Sequence, residues 1–97
     1  MSRNVVDYDV LNEGVVSYKN NADNLRDLID AMVAMNGKLQ EGWQNDTARA
    51  FVERFDSDHK PKLQNAANAI EEISSYIQRY LTSRQEEDSQ NASAISG

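Results

Sequence analysis

Apolar residues recur along the first half of the chain in steps of three and four. Leu11, Val15, Tyr18, Ala22, Leu25, Ile29 and Met32 form the series, and Met35 or Leu39 completes it. Such a heptad-like seam marks an amphipathic helix. Between its members lie Lys19, Asn20, Asn21, Asp23, Asn24, Arg26 and Asp27, a polar face suited to water. The pattern predicts a helix from about residue 9 to 40, roughly 45 Å long at 1.5 Å per residue. Asp7 or Asp9 is placed to cap its start, and Gly14 weakens its first turns. A second series runs Ala48, Phe51/Val52, Phe55, His59, Leu63, Ala66, Ile70, Ile73, Ile77 and Tyr80/Leu81. It predicts a second helix from about 47 to 84. Pro61 must kink this helix or break it near Ser57, because a helix-interior proline removes one backbone bond and clashes with the carbonyl four residues earlier. A kink fits better, since the apolar phase carries on across it.

Between the two series, about residues 41–46, lies an elbow with the only Trp of the chain, Trp43. Gly42 is suited to end the first helix in the left-handed conformation, and Asp46 or Thr47 to cap the next one. Residues 85–97 carry almost no apolar anchor and are expected to form a flexible acidic and polar tail. The fold expected is all-α: an antiparallel two-helix hairpin over residues 1–84. Further apolar residues (Val16, Leu28, Val33 and Met35 on the first helix, Val52, Ile70 and Tyr76 on the second) widen both stripes beyond what one neighbouring helix covers. A lone hairpin would leave that patch exposed, which soluble monomers rarely do. Two hairpins pairing into a four-helix bundle would bury it.

Composition narrows the function. The chain has 97 residues with a formal net charge of −6. No cluster of Lys and Arg offsets that field, so phosphate backbones and anionic lipid are poor partners and nucleic acid binding is not expected. No apolar run approaches the roughly 18 residues a membrane span needs, and membrane insertion is not expected. The N-terminal residues lack the apolar core and cleavage site of a secretory signal peptide. Cys is absent, which removes disulfides, thiolate metal sites and Cys nucleophiles. The single His59 and Asp56, at i and i+3, supply two metal ligands at most. No nucleophile–base pair or paired-carboxylate pocket can be argued on a thin bundle. The reading is therefore a non-enzymatic chain without metal or cofactor.

About a hundred residues, two long helices and a central Trp-x-Gly-like turn together resemble the WXG family, the small ESAT-like proteins of type VII (ESX) secretion. The closest match is Leu39 to Phe51: Trp43 stands at the motif's Trp, small Ala48 and Ala50 follow, and Phe51 supplies an aromatic. Asn45 occupies the motif's Gly position, and Asn is the next-best residue for a left-handed backbone. In the family the turn is paired with a C-terminal Tyr-x-x-x-Asp/Glu. Here Arg84 stands four residues after Tyr80, and Glu87 lies two helical turns beyond Tyr80 on the same face.

The resemblance implies a small type VII substrate, secreted without a cleaved signal peptide and acting through protein–protein contacts. It also implies an export signal made of Trp43, Asn45, Tyr80 and Glu87 and read by the secretion ATPase. The alternative is an intracellular adaptor that pairs with a larger effector and supplies its targeting signal. A third reading is a plain dimerisation module. A homodimer is the default, since nothing in the charge pattern demands a basic mate, and a heterodimer with a related small protein or an effector is the other arrangement. Leu11, Val15, Tyr18, Leu25, Ile29, Met32, Phe51, Phe55, Leu63, Ile70, Ile73 and Ile77 are expected to form the core and dimer seam.

Overall fold

A computed structural model describes the backbone of residues 5–96 and the side chains of residues 5–91. The first helix, α1, runs Tyr8–Gly42. Asp7 caps it, accepting from the N–H groups of Asp9 at 3.0 Å and Val10 at 3.2 Å. A short α2, Asp46–Arg54, follows the elbow and passes into a single wide π-helical turn, Phe55–His59, and then into α3, Lys60–Ser96. Phe55 and Lys60, at the two junctions, both keep right-handed helical dihedrals, so α2, the π turn and α3 form one uninterrupted rod. That rod packs antiparallel on α1, and the molecule measures 75 × 24 × 21 Å. The protein is an all-α helical hairpin.

Register across the hairpin is set by a few specific contacts. Ser74, buried, donates its hydroxyl to the Val15 carbonyl at 2.7 Å. Ile77 Cδ1 lies 3.5 Å from where a Cβ on Gly14 would stand. Arg26 reaches across to Glu71 at 3.0 Å and Asn68 at 3.1 Å, and also holds Asp23 at 3.1 Å. The hydrogen bond from Arg26 to Glu71 holds its guanidinium above its ordinary pKa. Near the open end, the Tyr8 hydroxyl donates to Asp88. The seam between the rods is thin. Its buried members are Ala22, Ile29 and Asn36 on α1, and Ala48, Phe55, Ala67, Ser74 and Leu81 on the second rod. Leu11, Val15, Leu25, Leu63, Ile70 and Ile77 flank them, half-buried.

Pro61 does not break the rod. Lys60 donates its N–H to the Phe55 carbonyl five residues back. The extra residue in that turn relieves the crowding a proline ring imposes on the preceding turn, a recognised use of a π bulge. The bulge also shifts the apolar phase by one position. Ala48, Val52 and Phe55 face α1 before it, and Leu63, Ala67, Ile70, Ser74, Ile77 and Leu81 face α1 after it. Continued without the extra residue, the α2 phase would fall on His59, Lys62, Ala66, Ala69, Ile73, Tyr76 and Tyr80, all of which are exposed.

Two local expectations differ from what is found. Gly42 was expected to turn left-handed, yet no residue described has a left-handed φ. Helix α1 ends instead as Trp43 goes extended, at φ −142° and ψ 91°. The segment expected to be a flexible tail is helical to Ser96, and Gly97 lies outside the described residues. Propagating an existing helix needs only one more bond per residue fixed, so it escapes the nucleation penalty that an isolated polar segment would face. Arg84 supports the extension through Glu87 at 3.6 Å and Asp88 at 3.9 Å.

Candidate interaction surface

At the elbow, Asn45 is the capping residue of α2. Its backbone is extended, at φ −155° and ψ −179°. Its Oδ1 accepts from the Ala48 N–H at 2.8 Å, and its carbonyl accepts from Arg49 at 3.1 Å. The capping role expected of Asp46 or Thr47 therefore falls to Asn45, which has no left-handed backbone to accommodate. Asp46 pairs with Arg49 one turn on, where its negative charge complements the helix N-terminus. Trp43 is half-buried and packs on Phe51, with ring centroids 5.8 Å apart and planes tilted by 44°. Beside it opens a cleft of about 280 Å³ lined by Gln40, Trp43, Gln44, Ala48 and Arg49. A half-buried aromatic that lines an open cleft suits recognition by another protein.

At the opposite end, Tyr80 is 46% exposed and lines a cleft of about 250 Å³ with Val5, Val6, Val10 and Leu11. Glu87 lies further along the same helix, paired with Arg84. Since Tyr80 stands beside Leu11, the length of α1 separates it from Trp43, about 48 Å at 1.5 Å per residue. One protomer thus keeps the two halves of the expected export signal, Trp43/Asn45 and Tyr80/Glu87, far apart.

Several seam residues face water. Tyr18, Met32, Phe51 and Ile73 are each between 36% and 43% exposed, and Leu28, Met35, Val10 and Tyr76 more so. Leu28, Met35 and Tyr76 stood out in the sequence as surplus apolar residues. The buried roles of Asn36 and Ser74 did not, because neither is apolar, and that of Ala67 did not, because the neighbouring Ala66 fits the sequence spacing instead. Among the described residues no cluster of His, Asp and Glu could hold a metal ion. His59 is exposed, with Asp58 4.0 Å away. Asp58 is held instead by Lys62 at 3.0 Å, and that hydrogen bond keeps its carboxyl below the usual value. No described helix is long and apolar enough to cross a membrane.

The described residues form an extended hairpin with an aromatic elbow and an apolar flank that no other part of the chain covers. The family described as "Proteins of 100 residues with WXG" matches residues 5–89, and the chain belongs to it. It is accordingly a small protein of type VII secretion. No curated protein and no solved structure matches the chain significantly.

Proposed function

We propose that this chain is a substrate of a type VII pathway, exported without a cleaved signal peptide, that acts by binding helical partners rather than by catalysis. The secretion ATPase would read Trp43 in its elbow cleft together with the exposed Tyr80 and the acidic turn at Glu87. The observation that carries this reading is the state of Trp43: half-buried, tilted against Phe51 and lining an open cleft at the elbow. The separation of the two signal halves adds a condition. An antiparallel pair of hairpins sets the elbow of one copy near the Tyr80 end of the other, and so assembles a composite signal that a single copy lacks.

Culture fractionation tests the reading. The chain should accumulate in the medium, with its N-terminus intact, when the ATPase is active and stay in cells when it is inactivated. Trp43→Ala should abolish export while leaving helicity in place. Retention in cells with an active pathway would overturn the substrate reading in favour of the adaptor that travels no further than its effector. Unimpaired export of Trp43→Ala would remove the elbow from the signal.

A further inference from the structure

Three interleaved series run along α3, and only one of them has the composition of a surface. Leu63, Ala67, Ile70, Ser74, Ile77 and Leu81 face α1. One position later come Gln64, Asn68, Glu71, Ser75, Gln78 and Thr82, all polar. One position earlier come Ala66, Ala69, Ile73, Tyr76 and Tyr80, exposed yet as apolar as the seam and spaced by the same threes and fours. Counted through the π turn as ordinary α-helix, that earlier series is in phase with Ala48, Val52 and Phe55. The rod therefore encodes two seams for one α1, and a single turn decides between them.

We infer that the π turn is a two-state register switch. Its conversion to α-helix would rotate α3 about its own axis by one residue, about 100°. Tyr76 and Tyr80 would then seat against α1, and Ile70, Ile77 and Leu81 would turn outward. The outward face would change from aromatic to aliphatic. The consequence for recognition rests on the function proposed above: Tyr80 is offered to a reader only while the π turn persists.

Gly14 supports the second register. In the observed one it has no need to be glycine. Its φ is not left-handed, and Ile77 Cδ1 stands 3.5 Å from the place of a Cβ there, an ordinary contact that alanine would make. Glycine inside a helix is nonetheless unfavourable relative to alanine. In the alternative register Tyr76 takes the place of Ile77, and its larger ring uses the room that the missing Cβ leaves.

The ion pairs around the turn fit both states. Asp58 pairs with Arg54 at 3.9 Å and with Lys62 at 3.0 Å, each four residues away, the spacing of an α-helix. Other groups hold the observed state. Pro61 opposes the α form, because it has no N–H for the Ser57 carbonyl and its ring crowds that carbonyl. Ser74 donates to the Val15 carbonyl, and Arg26 to Glu71 and Asn68. Conversion would put Ile73, Ile70 and Ala67 in the places of Ser74, Glu71 and Asn68, and none can make those bonds. It would also bring His59 and Lys62 to the seam. The α register is accordingly the minor one.

Cysteine alkylation of the purified full chain, which has no Cys of its own, tests the switch. Ala67 and Ala22 are both 0% exposed, but only Ala67 turns outward in the α register, and Ala22 stays in the seam in either. With the minor register at about 1 in 100, Ala67→Cys should react about a hundredfold slower than the exposed Ala66→Cys. Ala22→Cys, which waits for the hairpin to open, should be at least about tenfold slower again. Pro61→Ala should speed Ala67→Cys relative to Ala22→Cys. Deleting Ser57 from that variant should reverse the gain, because the shorter rod keeps the observed seam as plain α-helix. Gly14→Ala should slow Ala67→Cys relative to Ala22→Cys, with helicity by circular dichroism kept or raised. Equal rates at Ala67 and Ala22 would overturn the proposal, as would a ratio indifferent to Pro61→Ala or to Gly14→Ala. The assay needs no secretion pathway, so a chain that labels as described yet is never exported would sink the substrate reading and leave the switch standing.

Discussion

Asn45 offers the sharpest quantitative test of the elbow. In the WXG pattern its position belongs to glycine, and a left-handed turn there would make glycine the preferred residue. The structure assigns it another task, because its φ of −155° is ordinary extended backbone and its side chain caps α2 through the Ala48 N–H at 2.8 Å. Asn45→Ala removes that acceptor and should cost about 1 kcal/mol, within the 0.5–2 kcal/mol range for lost caps. Asn45→Gly should cost only a few tenths of a kcal/mol. Asn45→Asp keeps the acceptor and adds a charge at the helix N-terminus, so it should match or slightly exceed the wild type. The expected order is Asp at or above Asn, then Gly, then Ala. Urea unfolding followed by circular dichroism measures it, with all variants at one fixed protein concentration, since any pairing of chains would make the midpoint concentration-dependent. In a thermal scan the Ala variant should melt about 4–8 °C lower, the usual equivalent of 1 kcal/mol for a domain of this size. A left-handed residue would behave differently, with glycine above the wild type and Asp falling along with Ala. That order would refute the capping account.

Two further predictions concern polar groups. Asn36 is 91% buried by its 9% exposure, and its amide nitrogen has no hydrogen-bond partner among the described residues. A buried unpaired amide costs about 1–3 kcal/mol, so Asn36→Leu, which keeps the branched outline with a somewhat larger volume, should raise the urea midpoint; a lower midpoint would show that the amide is satisfied or that Leu does not fit. Asp58, held by Lys62 and further by His59 and Arg54, should titrate below 3.8 in an NMR acid titration, and Lys62→Met should move it back up. Because the folded pKa is the lower one, the stabilisation from this contact is present above the unfolded value and is lost as pH falls through the folded value. An Asp58 titration unmoved by Lys62→Met would remove Lys62 as the cause.

Much of the architecture is legible from apolar spacing alone, because α1 keeps one heptad phase from Leu11 to Leu39. The second rod is harder to read for a physical reason. Two apolar series overlap in it one residue apart, and spacing alone blends them, joining Ala66 and Ile73 with Ile70 and Ile77. Pro61 announces an obstacle but not its solution, since kink, break and bulge all answer the same missing N–H. Only the bulge changes which series faces α1. Asn45 was ambiguous because Asn serves both left-handed turns and helix caps, and the choice depends on how the chain leaves Trp43. The helix of the C-terminal segment is hard to read because its residues carry almost no apolar anchor, whereas an established helix extends into it without a new nucleus.

We propose that export and pairing are linked, the hairpin leaving the cell as a folded pair that carries a composite signal. Light scattering on the chain recovered from culture medium, with circular dichroism on the same sample, tests it most directly. The account predicts a helical species of twice the 10.9 kDa chain mass. A secreted species of single-chain mass would contradict it, because the Trp43 and Tyr80 ends would then have no means of meeting.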